Sequence, residues 1–182
     1  MAYMLGKSDE FVQSCCEAAG DVVPANYNVQ GNVSVAGTAE GIARFLQQGE
    51  QDGYLVGRIQ VSIPSHCWLM EPAARELEPF VQGLTMHAPT TQFIMNATGK
   101  PASDVDEIKT NLVRQLTSPV LFRQTIDSLL QEGFDTFIEV GPGNTLSKMV
   151  KKSAKQQKAS VQILQANSVE HLHEIQALMS AN

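Results

Sequence analysis

The feature that most constrains this chain is a change of rhythm near Pro64. Up to residue 61 the apolar patterns arrive as strand, helix, strand, strand, helix, strand. Beyond it, helices and strands alternate more loosely. Residues 2–6, AYMLG, read as a short strand. Ser8 is a helix N-cap followed by Asp9 and Glu10, which suit the positive end of a helix dipole, and the helix FVQSCCEAAG stops at Gly20. VVPANYN and NVSVAG are extended stretches joined by turn chemistry at Gly31-Asn32. Thr38 caps a second helix, on which Ile42, Phe45 and Leu46 share one face. GRIQVSIP then alternates, with Ile59, Val61 and Ile63 on one side, and Pro64 ends it. The order βαββαβ predicts a ferredoxin-like small subdomain over residues 1–61.

Residues 62–182 read as an open α/β region. Pro72 suits the first turn of a helix reaching about Leu84, with Pro79 able to bend or shorten it. TQFIMN (91–96) predicts a strand. Asp104 or Asp106 opens a helix carrying Ile108, Leu112 and Leu116, and another helix spans Phe122 to Gln131. TFIEV is a near-continuous apolar strand, the pattern of a parallel sheet covered on both faces. A helix from Asn144 to Ala154, the strand SVQILQA and a helix from Val169 to Ser180 complete the pattern. The fold class expected is therefore α/β with an α+β insert.

The bulk numbers exclude several function classes. Thirteen Lys and Arg against nineteen Asp and Glu give a net charge of −6, which argues against a general nucleic-acid binder. No apolar run approaches the roughly 20 residues that span a membrane. MAYMLGKSDE lacks the basic and apolar regions of a secretory signal. Three cysteines, Cys15, Cys16 and Cys67, without framework spacing point to free thiols in a reducing cytoplasm, with Cys15 and Cys16 as packing residues.

The candidate chemistry centres on SIPSHCWLMEPAA, from Ser62. His66 is placed just past a buried strand, where open α/β sheets hold their sites, and imidazole suits general-base work near neutrality. A satisfied core histidine is the competing reading. Ser65 and Cys67 are adjacent in an extended segment, so their side chains diverge from that of His66. A Gly-x-Ser-x-Gly nucleophile elbow is absent, the nearest string being GKSDE at Gly6. The chain thus carries a candidate base without a convincing nucleophile.

EVGPGNTL, from Glu139, is a strand, a tight turn and a helix start. It reads either as a structural turn or as a phosphate cradle. Lys148, Lys151, Lys152 and Lys155 form a basic stripe on one helix, either a solvated face or a docking surface for an acidic partner. His171 and His173 are two apart on a helix and point to different faces, and His87 lies in a loop, so no metal site is read.

Four blocks in order resemble the malonyl-CoA:acyl carrier protein transacylases. SIPSHCWLMEPAA is similar to their histidine motif, and ANYNVQGNVSVAG to their Asn-x-Asn segment. LVRQLTSPVLF is similar to their Gln-Leu-x-x-Pro-Val segment, and FIEVGPGNTLSKMVKK to their Glu-x-Gly-Pro-Gly block. The resemblance implies an α/β-hydrolase-like large subdomain holding a ferredoxin-like insert. On that reading, residues 1–61 are the insert and 62–182 the C-terminal part of the large subdomain.

The resemblance also implies transfer of malonyl from malonyl-CoA to the phosphopantetheine thiol of acyl carrier protein through a malonyl-serine, with no cofactor. His66 is then the base, the Gln115 backbone carbonyl orients it in place of a triad acid, and Asn28 lines the site. The lysine stripe would dock the carrier protein. VQGN after Asn28 departs from the family's more usual Ser-Pro-Gly-Gln.

The family's nucleophilic serine and carboxylate-binding arginine belong to blocks not found in these 182 residues. The expectation is that this chain is the C-terminal portion of a longer enzyme, inactive alone, and prone to self-association or marginally stable. Competing readings are a polyketide-type acyltransferase with another acyl group, a non-catalytic carrier-protein-binding subunit, and a hydrolase using Cys67.

Overall fold

Ser8 and Thr38 start the first two helices through their side-chain oxygens. In the computed structural model, which describes residues 1–180, Ser8 Oγ accepts from the Phe11 N–H at 3.3 Å and opens α1 (Asp9–Ala19). Thr38 Oγ1 accepts from the Gly41 N–H at 3.0 Å and opens α2 (Ala39–Gln51). Each supplies a partner to an amide that the helix itself cannot satisfy.

Around them β1 (Ala2–Leu5), β2 (Val22–Val29), β3 (Asn32–Gly37) and β4 (Leu55–Arg58) form an antiparallel sheet in the order β2-β3-β1-β4. One apolar cluster holds sheet and helices together: Met4 from β1, Val33 and Val35 from β3, Val12 from α1, and Ile42 and Phe45 from α2. Each such side chain fully removed from water contributes about 1.5–3 kcal/mol. Cys16 sits in this cluster, and burial pushes its thiol up to about 12, so it packs rather than reacts.

The alternation of Ile59, Val61 and Ile63 does not continue β4. The strand ends at Arg58, opposite Ala2, and the last bond runs from the Ile59 N–H to the Met1 carbonyl. Past that point no strand among the described residues pairs with the segment, and Val61 and Ile63 are half exposed. His66 therefore does not follow a buried strand. It lies in a turn that leads through a single 3-10 turn (Trp68–Met70) into α3 (Glu71–Gly83). Pro72 falls in the first turn of α3, and the helix runs on through Pro79.

The strand expected over 91–96 shrinks to β5 (Ile94–Met95), which pairs antiparallel with β6 (Lys100–Pro101) in a two-residue ladder rather than joining a parallel sheet. Asp104 accepts from the Glu107 N–H at 2.8 Å and caps α4 (Val105–Arg114). Next comes α5 (Phe122–Gln131). Its Arg123 grips Asp9 of α1 through both carboxylate oxygens, with both side chains largely buried.

The chain forms two compact units, Met1–Thr125 and Ile126–Asn182. In the second unit β7 (Thr136–Val140) and β8 (Gln162–Ala166) pair in parallel. They are joined by α6 (Thr145–Gln157) and followed by α7 (Val169–Ser180). TFIEV is thus a parallel strand, but it is not covered on both faces: Ile138 is 38% and Val140 79% exposed. Among the described residues, no helix is long and apolar enough to cross a membrane.

Candidate active site

The chain leaves α4 through Gln115 and Leu116, whose carbonyls have no partner within the helix, and His66 takes both. Its backbone N–H donates to the Leu116 carbonyl at 3.0 Å, and its ring Nδ1 lies 2.9 Å from the Gln115 carbonyl oxygen. A carbonyl only accepts, so the proton is assigned to Nδ1, which leaves Nε2 with its lone pair outward. The ring is half-buried. His66 has φ = 65°, a left-handed backbone that is uncommon for a residue with a Cβ. Such conformations persist where surrounding bonds over-determine them, often at functional positions.

Cys67 turns away from this arrangement. It is 1% exposed, packs with Ala25 and Ala36, and its Sγ donates to the Pro64 carbonyl at 3.1 Å. Burial pushes the thiol pKa up. A nucleophilic thiolate needs the opposite environment, so the cysteine-hydrolase reading loses its nucleophile.

The 115–121 segment is stitched to the outer edge of β2. The Val120 N–H donates to Ala25 at 2.8 Å, and the Tyr27 N–H donates back to Val120 at 2.9 Å. Asn28 follows on the same strand, half-buried. Its Nδ2 donates to Asn32 Oδ1 at 3.2 Å and Ser34 Oγ at 3.1 Å, so the β2–β3 hairpin fixes its carboxamide. The structure thus brings His66 and Gln115 into contact and places Asn28 on the strand that anchors the Gln115 segment. The Leu116 carbonyl and the Val120 backbone escaped the sequence reading, because main-chain groups leave no residue-type signal.

Two further candidates resolve in the second unit. Glu139 accepts from the Leu146 N–H at 3.1 Å and the Ser147 N–H at 2.8 Å. Gly141 and Gly143, at φ 126° and 87°, allow the turn that brings strand end and helix start together. The Ser147 hydroxyl beside it, with the N–H groups of Ser147 and Leu146, holds the Glu139 carboxyl below the usual range. The helix N-terminus is already filled by an internal anion, so the Gly-Pro-Gly turn is structural and not a phosphate cradle.

Lys148, Lys151, Lys152 and Lys155 all lie on the exposed face of α6, opposite the buried Ser147, Val150, Ser153 and Ala154. His171 and His173 stand on α7, the first partly buried and the second exposed. Among the described residues, no group of three or more His, Cys, Asp or Glu could hold a metal ion.

Residues 3–179 match the acyl transferase domain, and the chain belongs to that family. It is similar to the malonyl CoA-acyl carrier protein transacylase of Haemophilus influenzae, 35% identical over 156 residues, covering 84% of this chain and 50% of that protein. The solved malonyl CoA-acyl carrier protein transacylase of Coxiella burnetii superposes with a TM-score of 0.89 at 29% identity, covering 96% of this chain and 55% of that one. A malonyl-transacylase solved in complex with a type II polyketide-synthase acyl carrier protein superposes at 0.86 with 27% identity, covering 94% and 55%. The chain spans about half the length of the relatives it matches.

Proposed function

We propose that this chain supplies the base half of a malonyl-CoA:acyl carrier protein transacylase of fatty-acid synthesis, working in the cytoplasm without a cofactor. The observation that carries the reading is the contact of His66 Nδ1 with the Gln115 carbonyl at the end of α4. That carbonyl does the work of a triad acid: it holds one tautomer and presents the negative end of a helix dipole to the imidazolium that forms.

In the proposed reaction a serine hydroxyl adds to the malonyl thioester carbonyl while Nε2 of His66 takes its proton. Collapse of the tetrahedral oxyanion breaks the C–S bond, and the departing CoA thiolate takes the proton back. The carrier protein's phosphopantetheine thiol then gives its proton to Nε2 and attacks the malonyl-serine. The serine leaves as the alcohol once the proton returns.

The serine is proposed to lie outside residues 1–182, because no Gly-x-Ser-x-Gly elbow occurs within them. On this reading, residues 1–61 are a ferredoxin-like insert and 62–182 part of an α/β-hydrolase-like subdomain. Asn28 faces the acyl chain, and Lys148, Lys151, Lys152 and Lys155 meet the carrier protein. The likeness to a malonyl-transacylase of a polyketide system favours a second reading, in which the same machinery serves a polyketide carrier protein.

The test is transfer of labelled malonyl to holo acyl carrier protein by the whole protein. His66→Ala is expected to slow it by about 10³-fold. Intact mass of residues 1–182 alone after exposure to malonyl-CoA is expected to show no adduct. A covalently malonylated chain, or a variant that transfers at the parent rate, rejects the assignment.

A further inference from the structure

Orientation of His66 by a backbone carbonyl makes no demand on which side chain stands at position 115, yet that side chain is engaged. Gln115 Nε2 donates to the Ser118 carbonyl at 3.1 Å and lies 3.3 Å from His66 Nδ1. The Ser118 carbonyl only accepts, so it fixes which end of the carboxamide carries nitrogen. This bond closes the 115–118 turn on itself. Arg114 Nε, donating to Ser118 Oγ at 3.2 Å, braces the same turn from outside. Two residues on, Val120 is stitched to Ala25 and Tyr27 on the edge of β2. The Gln115 carbonyl is therefore held between a helix end and a sheet edge, and the carboxamide is the link that ties its own turn shut.

We infer that the Gln115 carboxamide is a positioning group for His66. By holding the Ser118 carbonyl it fixes the tilt of the Gln115 carbonyl against Nδ1. It thereby keeps the imidazole in the Nδ1–H tautomer with Nε2 bare. The same NH₂ could instead donate to an unprotonated Nδ1, but at 3.3 Å against 2.9 Å for the carbonyl contact, the carbonyl prevails. Gln115 acts through its own backbone and through Ser118, so it is a positioning residue and not a catalytic one. The inference rests on the reading of His66 as a base, but its test needs no substrate.

The test is ¹⁵N NMR of the imidazole nitrogens in the whole protein, with the His66 signals assigned by their absence in His66→Gln. His87, His171 and His173 serve as internal references. Gln115→Ala keeps the backbone carbonyl and removes only the carboxamide. It is expected to lower the Nδ1–H to Nε2–H ratio of His66 by about fivefold, the loss of one ordinary hydrogen bond from Nδ1–H to the Gln115 carbonyl once its tilt is no longer held, with the other three histidines unmoved. Gln115→Met, which fills the same space without a donor, is expected to do the same and stands in if the alanine variant unfolds.

An unchanged ratio in folded Gln115→Ala or Gln115→Met overturns the inference. So does a rise in the Nδ1–H share, which would make the carboxamide a competing donor to the ring. Neither outcome bears on malonyl transfer, which the His66→Ala comparison tests separately.

Discussion

The four-stranded sheet and the parallel pair carry comparably apolar strands and bury them to different degrees. In the first, Ala2, Met4, Val33 and Val35 are at most 1% exposed, and two helices close over them. In the second, Ile138 and Val140 of β7 remain 38% and 79% exposed. The antiparallel sheet is a finished unit, with Met4, Val33 and Val35 in one cluster with residues of α1 and α2. The parallel pair has the composition of a strand set covered on both faces, without that cover among the described residues. The comparison teaches that an apolar pattern states what a strand is suited to. Whether the cover is present is a separate fact, and the chain spans about half the length of its relatives.

The sharpest way to break the comparison is to cut into the finished sheet. Phe45 is 1% exposed at the centre of the α2 contact with the strands. Phe45→Ala is expected to cost about 3–5 kcal/mol, seen as a lower urea midpoint, because the cavity cannot collapse between packed helices. A cost under about 1 kcal/mol would mean that this cluster is as loosely closed as the parallel pair.

The second unit is held differently at its turn, and pH probes it. Glu139 lies below its ordinary value of 4.5 in the folded chain, held there by the Ser147 hydroxyl and the N–H groups of Ser147 and Leu146. A depressed carboxyl pKa contributes stability that is fully present above the unfolded value and lost as pH falls through the folded one. Amide exchange at Leu146 and Ser147 is therefore expected to accelerate as pH drops below 4.5, after correction for intrinsic rates. Glu139→Gln should remove that dependence. The effect should be smaller than that of Phe45→Ala, because the carboxyl is solvent-accessible and screened. A wild-type profile that matches the variant's would show that the carboxylate does not cap α6.

What was legible in the sequence follows from how local each signal is. Ser8 and Thr38 announced their helices because a cap acts within three residues, and the choice between Asp104 and Asp106 fell to Asp104 in the structure. The βαββαβ order was readable for the same reason, and Gly141-Pro142-Gly143 marked its turn. The failures are non-local. Ile59, Val61 and Ile63 alternate as a strand should, yet pairing ends with the Met1 carbonyl, and no periodicity reveals how long a partner strand is. TQFIMN looked like a sheet strand and found only a two-residue partner in Lys100–Pro101. At the site, Gln115 came from a resemblance to a motif. The left-handed backbone of His66 and the carbonyls of Leu116 and Ser118 carry no side-chain signature at all.

The mildest substitution on stability separates the two regions most directly. Val140 is 79% exposed, so Val140→Lys removes little buried area and should change the unfolding free energy by no more than about 0.5 kcal/mol. Its effect is expected in association instead. Phe134, Ile138, Val140 and Leu146 leave apolar surface open in the second unit, and among the described residues β7 pairs on one side only. An open strand edge with apolar neighbours invites pairing between copies. Sedimentation velocity of the wild-type chain should therefore show concentration-dependent oligomers, and Val140→Lys should raise the monomer share, whereas Glu139→Gln should not. A wild-type chain that stays monomeric at high concentration would show that exposure of β7 has no consequence for association. The contrast between the two sheets would then be one of burial alone.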